Sequence, residues 1–99
     1  MKEKQSTKDA FIKANTEKLK VLVTYFSGEY SLFLTKLCVP IQYVCAVNEQ
    51  DQDYFYFWDE QAEVGDRLFG LPLQDIAYLE LSDEKFDPND YIISNISKA

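Results

Sequence analysis

Apolar residues recur at helical spacing only near the start of the chain. Ala10, Phe11 and Ala14 share one face, and Ser6 followed by Asp9 has the form of a capping box. This spacing predicts a short helix over about 7–18, with Lys13 and Lys18 on its outer side. From Leu19 the period becomes two. Leu19, Val21, Val23 and Tyr25 alternate with Lys20, Leu22, Thr24 and Phe26, and because the second set is also largely apolar, the strand is expected to be covered on much of both faces. Ser27-Gly28-Glu29 reads as a turn in which glycine supplies any positive φ, and Tyr30–Leu37 as the returning strand.

Pro40 interrupts the alternation and marks a strand start or an edge, so Ile41–Val47 reads as a third strand. A polar loop, Asn48–Asp53, leads to a fourth strand, Tyr54–Trp58, aromatic on both faces. After a turn over Asp59–Asp66 come a fifth strand (Arg67–Leu71), a short turn (Pro72–Asp75) and a sixth strand (Ile76–Leu81). In that last strand Ile76, Tyr78 and Glu80 oppose Ala77, Leu79 and Leu81. Asp87-Pro88 has the form of a helix start, with Tyr91, Ile92 and Ile96 available to dock a short C-terminal helix. Short strands, tight turns and one N-terminal helix give a mainly β, α+β fold. The expected architecture is a small, curved antiparallel sheet or barrel of the Sm-like/SH3-like kind.

The chain has 99 residues, which sets one domain over 1–99 with a barrel core at about 19–88. With 46% hydrophobic and 15% aromatic residues there is ample material for one core, which argues against intrinsic disorder. No apolar run approaches the roughly 20 residues of a membrane-spanning helix, and the polar start lacks the apolar region of a secretory signal. The expectation is a cytoplasmic protein without membrane association.

Histidine is absent. This removes the commonest general base, the commonest metal ligand and the usual partner of a nucleophilic Ser or Cys. Cys38 and Cys45 cannot make a four-thiolate zinc site and read as two buried, reduced thiols. Asp51-x-Asp53 lacks the spacing of a calcium loop, and the pair Asp59-Glu60 has no nucleophile or phosphate loop beside it. No catalytic residue, metal site or cofactor is expected.

Charge is segregated. Residues 1–20 carry six lysines against Glu3, Asp9 and Glu17, a net +3, whereas residues 48–90 carry thirteen acids against Arg67 and Lys85, a net −11. Such a body repels a phosphate backbone, which disfavours duplex DNA and weighs against single-stranded nucleic acid, and it suits a protein with a basic face. Tyr54, Tyr56 and Trp58 are the candidate partner-binding side chains. Their flanking charges, Asp53, Asp59 and Glu60, oppose their use as a base-stacking platform. An aromatic strand at a sheet edge would also invite self-pairing, which makes a homo-oligomer a candidate state.

A series of motifs carries a resemblance. A short helix leads into an apolar strand ending Tyr25-Phe26-Ser27, and Gly28 follows. Then come Pro40-Ile41-Gln42-Tyr43-Val44, the aromatic strand Tyr54 to Trp58, Arg67-Leu68-Phe69, Leu73-Gln74-Asp75-Ile76 and Phe86-Asp87-Pro88. In this order, over roughly residues 10–88, the chain resembles the WYL domain, a bacterial Sm-like barrel. The resemblance implies a regulatory or sensing module that binds a small ligand, often a nucleotide or single-stranded nucleic acid, with Tyr25, Ser27 and Arg67 at the pocket. Asp75 stands where that family has a second arginine, which reverses the local charge. Eighteen residues before the first strand are too few for a helix-turn-helix reader. Two functions follow as expectations: a WYL-like regulatory module for a small ligand or partner protein, or an acidic adaptor or inhibitor that docks a basic surface.

Overall fold

The computed structural model describes residues 2–46 and 52–91. Helix α1 (Lys2–Glu17) is followed by β1 (Leu19–Ser27), β2 (Leu32–Val44), β3 (Tyr54–Trp58), β4 (Leu68–Pro72) and β5 (Ile76–Lys85). A 3-10 turn, Leu73–Asp75, joins β4 to β5, and a second covers Pro88–Tyr91. All pairings are antiparallel, in the order β4-β3-β2-β1-β5, so the chain forms the mainly β, curved sheet expected of it.

The helix begins earlier than its predicted start near residue 7. Lys2, Glu3, Lys4 and Gln5 are good helix formers, so the helix runs back past Ser6, which is an interior position and not the cap. It ends where Lys18 adopts φ 61°, a left-handed residue that cannot continue it. The Lys18 carbonyl then accepts the Phe86 N–H at 3.0 Å, tying the end of the helix to the segment after β5. Phe11 and Ala14 are buried. The Phe11 ring meets Phe55 and Phe57 edge-on, at 5.1 and 5.5 Å, so α1 closes over the core with the thin stripe that its sequence offers.

Two predicted strands, Tyr30–Leu37 and Ile41–Val47, are one. β2 runs unbroken through Pro40, pairing its first half with β1 and its second with β3. Pro40 lies where β2 exchanges partners, beside a register shift between Pro40 and Gln42, and its missing N–H is tolerated at such a break in the ladder. The Asn15 side-chain amide donates to the Pro40 carbonyl at 2.8 Å, fixing α1 across this corner. Thus the described residues form five strands where six were expected. The predicted end of the third strand at Val47, and most of the loop after it, lie outside the described residues. So do Ile92 and Ile96 of the expected C-terminal helix.

Other local expectations shift for identifiable reasons. The β1–β2 turn places its positive φ on Ser31 (55°) and not on Gly28, and β2 starts at Leu32. β5 extends to Lys85, and a register shift opposite Thr24 and Tyr25 puts Ile76 and Leu79 inward while Tyr78 and Glu80 face out. Strict alternation fails there because an irregular residue changes the face. β1 is covered on one side only: Val21 and Val23 are fully buried, whereas Leu22 and Phe26 are exposed. β3 is paired on both sides, by β2 and β4, so edge pairing through this aromatic strand is closed.

Cys38 is buried and Cys45 is exposed, and both are free thiols, so only one of the two is the core residue expected. Burial, with Asp59 nearby, pushes the Cys38 thiol up to about 12. A thiol reagent at neutral pH is expected to modify Cys45 rapidly in the native protein and Cys38 only on unfolding. Comparing labelling stoichiometry with and without denaturant checks this.

Candidate functional site

β1, β2 and β4 bring Tyr25 and the stretch around Arg67 together on the curved sheet. The Tyr25 ring packs on Phe69 at 5.7 Å, and Phe69 stacks on the buried Phe57 at 5.6 Å. Burial raises the Tyr25 hydroxyl above the ordinary phenol range, opposed by the adjacent Lys36 ammonium. Lys36 in turn donates to Asp59 Oδ2 at 3.0 Å, and this bond raises its own pKa.

Asp59 is only 2% exposed, and its environment is built for a carboxylate. Oδ1 accepts the Gln61 N–H at 2.9 Å, while the Asp59 N–H donates to the Arg67 carbonyl at 2.7 Å. The Arg67 Nε–H donates to the Ala62 carbonyl at 3.0 Å, so this part of the guanidinium closes its own loop. Ser27, the half-buried last residue of β1, pairs with Leu32 across the hairpin. Tyr25 and the Arg67 backbone therefore share one neighbourhood, with the Lys36–Asp59 ion pair between them. Sequence reasoning missed that pair, because it joins positions 23 residues apart through the bend of β2.

Tyr54, Tyr56 and Trp58 share the outer face of β3, opposite the buried Phe55 and Phe57. Tyr54 is exposed and stacks with Tyr56 at 6.3 Å. Tyr56 and Trp58 are half-buried against a small cluster of Val39, Ile41 and Phe86. Tyr56 also lies across Gly70, where an added Cβ would approach its ring to 2.6 Å. Only Tyr54 of the three presents much of its ring outward.

A larger apolar surface stands on the other half of the sheet. Outside β1 and its neighbours lie Leu22, Phe26, Phe33 and Tyr78. Phe33 and Tyr78 are each 59% exposed. Cross-strand pairing sets them side by side: Phe26 opposes Phe33, Thr24 opposes both Thr35 and Tyr78, and Leu22 opposes Glu80. The Phe26 and Phe33 rings meet edge-on at 5.5 Å, and the Thr24 and Thr35 hydroxyls are bonded at 2.8 Å. At the hairpin end this face opens into a cleft of ≈ 280 Å³ lined by Thr7, Phe26, Phe33, Gln74 and Asp75, among others. A signal for it stood in the sequence, since Phe26 and Phe33 flank the Gly28 turn at positions that oppose each other in a hairpin.

The far end of β2 is held by Asp53. Its Oδ2 accepts the Tyr43 hydroxyl at 2.7 Å, its Oδ1 the Ala46 N–H at 2.9 Å, and its carbonyl the Leu73 N–H at 2.9 Å. The Ala46 N–H and then the Tyr43 hydroxyl hold the Asp53 carboxyl below its ordinary value of 3.8. A depressed folded-state pKa contributes stability that is complete above the unfolded value and is lost as pH falls through the folded one. Asp53→Asn is therefore expected to destabilise at neutral pH and to flatten the loss of stability on acidification below about pH 4. Denaturant titrations of both proteins from pH 7 to pH 2 check this.

No family model, curated protein or solved structure matches the chain. No described helix is long and apolar enough to cross a membrane.

Proposed function

We propose that this chain is a non-enzymatic regulatory module, of the kind its resemblance to WYL domains implies, and that it acts by docking a partner protein with a basic surface. The observation that carries this reading is the exposed face of Leu22, Phe26, Phe33 and Tyr78 on a body of strongly acidic sequence. Contiguous exposed aromatics mark interaction surfaces, whereas isolated ones are ordinary. Acidic surroundings select partners of opposite sign and speed encounter with them.

The alternative of an anionic small ligand at Tyr25, Ser27 and Arg67 draws less support. Phosphate recognition calls for several cationic donors aimed at one point. Here the Lys36 ammonium bonds Asp59, and the Arg67 Nε–H bonds the Ala62 carbonyl. The same arrangement weighs against single-stranded nucleic acid. The module is proposed to work in the cytoplasm.

The test is affinity capture by the immobilised protein at about 50 mM and 300 mM salt, for wild type and Phe33→Glu. The expected result is a basic protein retained by wild type at low salt and lost both at high salt and on substitution. A wild type that retains no protein, or retention indifferent to salt and to the substitution, would sink the reading.

A further inference from the structure

The cleft at the hairpin end of the aromatic face combines three features. Two phenyl rings, Phe26 and Phe33, meet edge-on and remain 42% and 59% exposed, so both can take a further flat group. Asp75, half-buried at the end of the 3-10 turn, is the formal charge among the lining residues, and it has no ion-pair partner among the described residues. The cleft, ≈ 280 Å³, lies at the small end of the range of about 300–1,000 Å³ for small-molecule sites and has room for one long side chain. Aromatic faces beside a carboxylate are the chemistry that recognises an organic cation. A guanidinium fits best, because it is planar, stacks on rings and is weakly hydrated, whereas an ammonium is a compact, strongly hydrated point charge.

The geometry points to a socket for one arginine side chain of the partner protein, its guanidinium paired with Asp75 and its stem and plane laid on Phe26 and Phe33. This rests on the proposed docking function and names the anchor for it. Interfaces concentrate their binding energy in a few such side chains, among which arginine is enriched.

The experiment is an NMR titration of the isotope-labelled full chain with acetyl-Gly-Arg-Gly-amide and with its citrulline counterpart, which keeps the shape and loses the charge. The expected result is saturable shifts at the amides of Phe26, Phe33 and residues 74–77. The citrulline peptide is expected to bind at least tenfold more weakly. Asp75→Asn and Phe33→Ala should each cause a similar loss for the arginine peptide, with undisturbed amide dispersion showing that both variants fold. Equal binding of the two peptides overturns the proposal, as do shifts scattered over the acidic surface or centred on Tyr54–Trp58. Concentration-dependent shifts at the cleft without peptide would give it to a second copy of this chain and also overturn it. If the peptides fail while salt-sensitive capture of a basic protein persists, the socket falls and the docking function stands. If the peptides bind and capture fails, the docking function falls.

Discussion

Phe57→Ala is expected to lower the melting temperature by roughly 12–40 °C. Phe57 is fully buried, stacks on Phe69 at 5.6 Å and receives the edge of Phe11, so three separate elements lose contacts at one site. Truncating a buried Phe costs about 3–5 kcal/mol, and for a domain of this size each kcal/mol shifts the midpoint by about 4–8 °C. Against a total stability of about 5–15 kcal/mol this leaves a marginal fold. Phe33→Ala supplies the contrast within one residue type. That ring is 59% exposed, so its loss is expected to change stability by no more than about 0.5 kcal/mol while removing partner binding. Thermal melts of the two variants, followed by circular dichroism, separate them. A small loss for Phe57→Ala would mean that α1 and β3 do not share the core described.

The second large effect is expected at Lys36 and Asp59. Removing the ammonium leaves a carboxylate that is 2% exposed without its cation, so Lys36→Met is expected to cost about 3 kcal/mol. The converse change is milder. Lys36 is 38% exposed at its side chain and can turn to water, so Asp59→Asn, which retains an acceptor for the Gln61 N–H, is expected to cost about 1–2 kcal/mol. The double variant is expected to be more stable than Lys36→Met alone, because it no longer strands a charge. Urea denaturation of the four proteins in a double-mutant cycle measures this coupling directly. Additive losses would show that the two groups do not depend on one another.

The sequence carried much of the architecture, and its misreadings have physical causes. β1 and β3 follow from alternation and from the aromatic run, because each has one face against the core. β2 misled because Pro40 ordinarily ends a strand, and only tertiary pairing shows that the strand exchanges neighbours there. In β5 a single irregular residue turns Ile76 and Leu79 to the same side, which no period of two can announce.

The candidate site was legible in part. The inner and outer sets of the β3 aromatics follow from alternation. Apolar residues on both sets of β1 positions predict cover on both faces, but hydrophobicity in a strand does not say whether a layer lies over it. The Phe26–Phe33 pair follows from the hairpin about Gly28, but the Lys36–Asp59 pair and the approach of Asp75 to those rings depend on contacts between distant positions, which composition and period do not encode.

The sign of the partner's charge separates docking of a basic protein from binding of nucleic acid. The most direct test is fluorescence anisotropy at low salt, titrating the protein into a labelled arginine-rich peptide and, in parallel, into a labelled single-stranded oligonucleotide. The expected result is saturable peptide binding that weakens with salt and with Phe33→Ala, and no binding of the oligonucleotide under conditions where attraction to phosphate is strongest. Saturable oligonucleotide binding that disappears with Arg67→Ala, together with an unbound peptide, would contradict it.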